Sequence, residues 1–214
     1  MKHSPGNIIN VSRETLMRLD KVFKGNSYKL DKYADLLLWW NRKVNLVSRN
    51  SSKKHILEHI RHSLIPVALD LYSGNETILD TGTGGGLPGI PLAIALPDCR
   101  FVLNDISEKK CMVLKQMVKD LGLSNCEVKP GDLGKLTIVG PCILTTKHAF
   151  KLNDLLFKAK GINWEQAIIY KGTNYQSELN ETNVKEIKVQ AYNLSLLEPG
   201  TFYIGKSVLV VKKM

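Results

Sequence analysis

Apolar positions along this chain change their spacing near residue 75, and the change separates two kinds of structure. Before it, they recur at helical intervals. Residues 12–24 and 28–43 both carry that rhythm, and in the second Tyr33, Leu36, Leu37 and Trp40 stand at i, i+3, i+4 and i+7. Ser52 is placed to cap a third helix reaching to about Leu71, with Ile56, Ile60, Leu64 and Val67 as its stripe. Ser73-Gly74-Asn75 ends this helical region. After it, short apolar runs alternate with helices. The runs are Thr77–Leu79, Arg100–Leu103, Cys126–Val128, Cys142–Thr145 and Ala167–Tyr170; helices are expected from about Pro88, over 107–122 and near 152–160. Such alternation implies a mostly parallel sheet covered on both faces. Val184–Leu194 and Ser207–Lys212 differ: a Pro199-Gly200 turn joins them with no helix between, and they read as a closing antiparallel hairpin. The expectation is a Rossmann-like α/β domain over 76–214, with seven mostly parallel strands and the C-terminal hairpin, preceded by a helical cap over 1–75.

Composition adds three constraints. With 43% hydrophobic and 23% charged residues, the chain can bury a full core. No apolar run approaches the roughly 20 residues that span a bilayer. The segment MKHSPGNIIN lacks the apolar centre of a signal peptide, so a cytoplasmic location without membrane attachment is expected. Cys99, Cys111, Cys126 and Cys142 are scattered without a C-x-x-C pair and read as reduced core thiols.

Charge points to a partner. The net charge of +10 is uneven: residues 1–79 hold 13 Lys and Arg against 7 Asp and Glu. Between 41 and 61, Arg42, Lys43, Arg49, Lys53, Lys54 and Arg61 face a single acid, Glu58. A concentrated basic surface is the footprint of a polyanion partner, although a solvated lysine-rich face would look the same.

The chemistry begins at Asp80-Thr81-Gly82-Thr83-Gly84-Gly85-Gly86-Leu87-Pro88-Gly89. A strand ends in an acid, and glycines feed a helix whose first turn tolerates proline. In a parallel sheet this turn lies at the carboxyl edge, where ligands bind. Gly84-x-Gly86-x-x-Gly89 also matches a dinucleotide fingerprint. Asp80 would then set a carboxylate beside a diphosphate, whereas it suits the cationic amino group of a methionine moiety. The turn therefore favours S-adenosylmethionine. Asp105 ends the next strand, 25 residues on, where a carboxylate can accept the ribose hydroxyls of adenosine or cap the following helix. No Gly-Lys-Ser/Thr follows the glycines, which excludes a phosphate-binding loop. Asn-Pro-Pro-aromatic does not occur, and Cys142 starts a strand where a nucleophile would follow one. With no evident base or nucleophile, an acceptor with a lone pair and no proton becomes attractive, and guanine N7 is one such acceptor. His55, His59 and His62 share helical spacing but have no acidic or cysteine ligand beside them, so RNA contact or packing is expected rather than a metal. Trp40 is expected in the core and Trp39 partly exposed.

The combination resembles the bacterial small-subunit ribosomal RNA methyltransferase G family, also called glucose-inhibited division protein B. Trp40-Asn41-Arg42-Lys43-Val44-Asn45-Leu46-Val47-Ser48, His59-Ile60-Arg61-His62-Ser63, the whole of Asp80–Pro91 and Tyr170-Lys171-Gly172 are similar to its motifs in order and spacing. The resemblance implies a class I methyltransferase fold and S-adenosylmethionine-dependent N7 methylation of a guanine in 16S rRNA. It implies a cofactor site at Asp80, Gly82, Gly84, Gly86, Leu87, Asp105, Leu133, Gly134 and His148. Lys147, His148 and Lys171 become candidate catalytic residues, and Arg42, Asn45, His59, Arg61 and Lys171 candidate RNA contacts. The expected partner is ribosomal RNA or a partly assembled small subunit, met by a monomer. The chain departs from the family at three places: Asp132-Leu133-Gly134 stands for Arg-Ala/Val-Glu, Lys147-His148-Ala149 for Ser-Arg-Ala, and His62 for an Asp. The same fold and cofactor would also serve a small-molecule or protein acceptor, and without transfer the chain would be an RNA-binding assembly module.

Overall fold

A computed structural model describes residues 8–172, 175–180, 187–197 and 202–214. Its centre is an eight-stranded sheet in the order β1-β7-β8-β6-β5-β2-β3-β4. The strands are β1 (Ile8–Asn10), β2 (Thr77–Thr81), β3 (Arg100–Asp105), β4 (Cys126–Pro130), β5 (Cys142–Lys147), β6 (Trp164–Lys171), β7 (Ile187–Asn193) and β8 (Ser207–Lys213). All neighbouring pairs are parallel except those of β8, which runs antiparallel to both β6 and β7. The C-terminal hairpin thus forms as expected, its Pro199-Gly200 turn and residues 184–186 lying outside the described residues.

Side-chain alternation explains why the sheet has two covered faces. Ile78, Phe101, Leu103, Ile143, Ile168 and Tyr170 point into one apolar cluster; the intervening Leu79, Val102, Leu144, Ala167 and Ile169 point into the other. On the first face lie α1 (Arg13–Gly25), α2 (Ser27–Asn41), α3 (Lys53–Ser63), α4 (Ile65–Ala68), α5 (Gly89–Ala95) and α6 (Glu108–Asp120). On the second lie α7 (Leu152–Lys158) and α8 (Tyr175–Asn180). Leu19, Leu30, Tyr33, Leu37, Ile56 and Ile60 of the N-terminal helices are fully buried in the same cluster as the sheet face. Trp40 packs partly buried against that cluster, and Trp39 is exposed.

The structure corrects two expectations and adds one element. The sheet has eight strands, not seven: β1 adds to the edge through Ile8↔Ala191 to Asn10↔Asn193. All three of its residues are exposed, so no buried periodicity marks it. The third helix does not run on to Leu71; it closes at Leu64 and restarts as the short α4 with Pro66 in its first turn, because proline cannot donate the next helical hydrogen bond. Helix α8 stands between β6 and β7. It has six residues, too few for a periodic signal. The four cysteines are free thiols, with Cys126 half-buried and the others buried.

Candidate functional site

The carboxyl ends of β2, β3 and β5 frame the site, and the glycine turn after β2 is its floor. Gly82, Gly84 and Gly86 all take positive φ. At Gly82 a side chain is excluded twice: φ is +66°, and a Cβ would stand 2.5 Å from the Cβ of Ala149. The loop after β5 therefore lies directly on the turn.

Asp80 is fully buried. Its Oδ2 accepts from the Thr83 hydroxyl (2.5 Å) and the Gly89 amide (2.8 Å), so it braces the turn from below. Its Oδ1 is buried without a hydrogen-bond partner among the described residues. Burial pushes the carboxyl up to about 7, against the pull of those two donors. A buried carboxylate with one unserved oxygen fits a cation placed above it. Asp105 does not cap the following helix, where Ser107 is the N-cap and accepts from the Lys110 amide; instead its Oδ2 accepts from the Gly84 amide (2.9 Å) and its Oδ1 from the Ser107 amide (2.9 Å), tying the glycine turn to the approach to α6. Each oxygen retains a second lone pair. Asn104 fixes the floor's far side, accepting from Thr81 and donating to the carbonyls of Lys129 and Gly131. Leu133 is buried and Gly134 exposed in a single 3-10 turn. Asp132 caps that turn at Gly134 (2.8 Å) and pairs with Lys158 of α7 (2.8 Å). Leu87 is half-buried beside the turn.

Opposite the glycines stand the histidines and Lys147. The Lys147 ammonium donates to the His59 carbonyl (2.8 Å) and the Ser63 hydroxyl (3.3 Å), tying β5 to α3. Burial first, and then the charge of Lys206, pull it down to about 7. His148 takes φ +57°, a rare conformation for a non-glycine residue. The residue as a whole is exposed, yet loss of water around its ring, then the Lys147 charge, hold the imidazole near 4. His59 is held near 3, mainly by burial, and its ring lies against His55 and Phe202. His62 is fully buried among Tyr170, Phe202 and Tyr203, with both ring nitrogens unpartnered among the described residues, and burial keeps it neutral. No three histidine, cysteine or acidic side chains converge as metal ligands among the described residues.

The remaining candidates separate. Lys171 is buried and faces inward: its ammonium donates to the Phe150 carbonyl (2.7 Å) and pairs with Glu178 (2.6 Å). Glu178 also accepts from the Leu152 amide (2.8 Å), so the pair clamps the loop that carries His148. Arg61 is half-buried between helices, paired with Asp20 of α1 (2.8 Å). Arg42 and Asn45 are exposed.

Sequence reasoning missed three residues here. Asn41 accepts from the amides of Leu46 (2.9 Å) and Val47 (3.0 Å) and donates to the Ser48 carbonyl (3.2 Å). It folds the 42–48 loop so that Leu46 meets the glycine turn, its carbonyl 3.6 Å from where a Cβ on Gly84 or Gly85 would stand. The buried Tyr33 hydroxyl donates to the Gly85 carbonyl (3.0 Å). Asn41 was visible as part of a motif; Tyr33 looked only like core, and Glu178 carried no signal at all.

A family model described as GidB, rRNA small subunit methyltransferase G, matches residues 26–200. The chain is 50% identical over 93 residues to the ribosomal RNA small subunit methyltransferase G of Chlorobium limicola, a match covering 44% of this chain and 42% of the relative. The matched segments span about half the length of such relatives. In fold, the chain is similar to a putative O-methyltransferase from Klebsiella pneumoniae, with a TM-score of 0.59 at 12% identity over 85% of this chain and 89% of that one. It is also similar to a mutant of MtNAS in complex with S-adenosylmethionine, with a TM-score of 0.56 at 15% identity over 91% and 77% of the two chains.

Proposed function

This chain belongs to the rRNA small subunit methyltransferase G family, and from that premise we propose that it transfers a methyl group from S-adenosylmethionine to N7 of a guanine in small-subunit ribosomal RNA. The observation that carries the reading is Asp80: a buried carboxylate with one unserved oxygen beneath a positive-φ glycine turn at the carboxyl edge of a parallel sheet.

When bound, S-adenosylmethionine supplies an electrophilic methyl group on a sulfonium. Gly82, Gly84, Gly86 and Leu87 line its cleft, and Asp80 balances its positive end. Asp105 would take the ribose hydroxyls with its spare lone pairs, and Leu133 and Gly134 would hold the adenine. The acceptor nitrogen carries a lone pair and no proton, so the protein needs to position it rather than deprotonate it. Transfer moves positive charge onto the purine. The imidazoles of His148 and His59, held neutral, do not repel that charge. His148 and Lys147 orient the base, and Lys171 acts through the loop it clamps. Arg42, Asn45 and His59 meet the RNA, with Arg61 supporting from behind. In this reading residues 1–75 form the RNA-facing cap and 76–214 the catalytic domain of a cytoplasmic monomer that meets its rRNA free or in a partly assembled subunit. Among the described residues, no helix is long and apolar enough to cross a membrane.

The test is a mass-spectrometric comparison of small-subunit rRNA from wild-type and deletion strains. One 7-methylguanine is expected to disappear in the deletion and return with the gene. Unchanged guanine N7 methylation refutes the reading.

A further inference from the structure

The half-buried cations of this protein follow one rule, with two exceptions. Among the described residues, Lys53, Arg61, Lys110, Lys129, Lys158 and Lys171 are buried or half-buried, and each has a carboxylate within 4.0 Å. Lys147 and Lys206 are also half-buried and have none within that distance among the described residues. The Lys147 ammonium reaches only neutral oxygens, the His59 carbonyl and the Ser63 hydroxyl. The Lys206 ammonium donates to the Phe202 carbonyl and lies 3.9 Å over the Phe202 ring.

The two exceptions belong to one cluster. The Phe202 ring is 5.2 Å from His59 and 5.9 Å from His62, and His62 is 6.2 Å from His148. The charge of Lys206 lowers the basicity of Lys147, His59 and His148 alike, so all four sense one field. Glu58 acts on Lys206 and Asp80 on Lys147 only from beyond 4.0 Å, so these like charges are drawn partly out of water without a paired counter-charge, which is unfavourable until an anion joins them.

We propose that Lys147, Lys206, His59 and His148 receive a backbone phosphate of the RNA and so hold the target strand at the mouth of the methyl-transfer cleft. This rests on the reading of RNA as substrate. The location suits it: β5 pairs with β2 so that Thr145 stands beside Asp80, and the loop carrying His148 lies on Gly82. The chemistry suits it too, since lysines serve phosphate as point charges and neutral imidazoles still offer an N–H donor. A carboxylate such as that of the cofactor's methionine moiety offers the same groups the same chemistry, and the experiment separates the two.

Binding of protein-free small-subunit rRNA is measured by filter retention over a range of salt, and S-adenosylhomocysteine binding by calorimetry. Lys206→Met keeps the aliphatic stem over Phe202 and removes the charge. The slope of log K against log salt is expected to shrink by about 0.7–0.9, the loss of one phosphate contact. S-adenosylhomocysteine affinity is expected to stay unchanged, and Lys206→Arg to restore the slope. Lys147→Met should shrink the slope likewise; if it does not fold, the Lys206 pair decides. A folded Lys206→Met protein with the wild-type slope overturns the proposal, as does a defect confined to S-adenosylhomocysteine. Methyl transfer to small subunits is followed in parallel. A wild-type protein that binds rRNA with the expected salt slope yet transfers no methyl group refutes the catalytic reading while supporting the phosphate site.

Discussion

Two asparagines in one short motif are expected to behave oppositely on mutation. Asn41→Ala deletes three hydrogen bonds, at 2.9, 3.0 and 3.2 Å, that fold the 42–48 loop against the glycine turn. At about 0.5–1.5 kcal/mol each, with water replacing part of the loss at a half-buried site, the change should destabilise the protein by about 2–3 kcal/mol. Asn41→Asp retains the acceptor for Leu46 and Val47 and loses only the donation to Ser48, so about 1 kcal/mol is expected. Asn45 is exposed with no hydrogen bond of its own among the described residues, and Asn45→Ala should change stability by less than about 0.5 kcal/mol. Guanidinium unfolding followed by tryptophan fluorescence reads all three, since Trp39 and Trp40 adjoin Asn41; the midpoints should shift at constant m. Asn41→Ala should also weaken S-adenosylhomocysteine binding, because Leu46 is held against the turn by the same bonds. Equal midpoints for Asn41→Ala and Asn45→Ala refute the assignment of the first asparagine to the loop and the second to the surface.

Lys171→Met strips the Lys171–Glu178 pair of one partner and should cost about 3 kcal/mol, while Lys171→Met/Glu178→Gln, which removes the stranded charge and keeps an acceptor for the Leu152 amide, should recover most of it in thermal denaturation; a double variant as unstable as the single refutes the clamp. Asp80 titrates near 7 in the free protein, so below that pH a bound cation must first displace a proton. Affinity for S-adenosylmethionine should therefore rise between pH 6 and about 7.5, by up to about tenfold per unit, and fall again as the α-amino group of the ligand deprotonates near 8. Asp80→Asn should flatten the rise, and a wild-type affinity that is flat or falling over the rising range refutes the role of the unserved oxygen.

Much of this fold was legible along the chain because its signals are local. The 3.6-residue stripe of Tyr33, Leu37 and Trp40 and the alternation in the β-strands follow from backbone geometry, and both reappear in the two apolar clusters. The glycine turn was legible for the same reason: positive φ at Gly82, Gly84 and Gly86 is a demand that the residue type itself announces. The elements that escaped, β1 and α8, are short: β1 is exposed and defined by its pairing with the distant β7, and the six residues of α8 give too little length for a periodic signal.

The site divides along the same line. Legible without the structure were the alternation of strands and helices apart from β1 and α8, the glycine turn, Asp80 near the end of β2 and Asp105 at the end of β3, since each depends on neighbours within a few residues. Only the tertiary structure decided partners. It turned Lys171 inward onto Phe150 and Glu178, set Arg61 against Asp20 and used one oxygen of Asp80 as a brace; among the described residues it left the other oxygen unserved, and it put Lys147 within the field of Lys206 with no carboxylate within 4.0 Å of either. A side chain's charge and shape are written in the sequence. Which groups share its low-dielectric surroundings is set by packing between segments tens of residues apart, and that choice governs both basicity and reach.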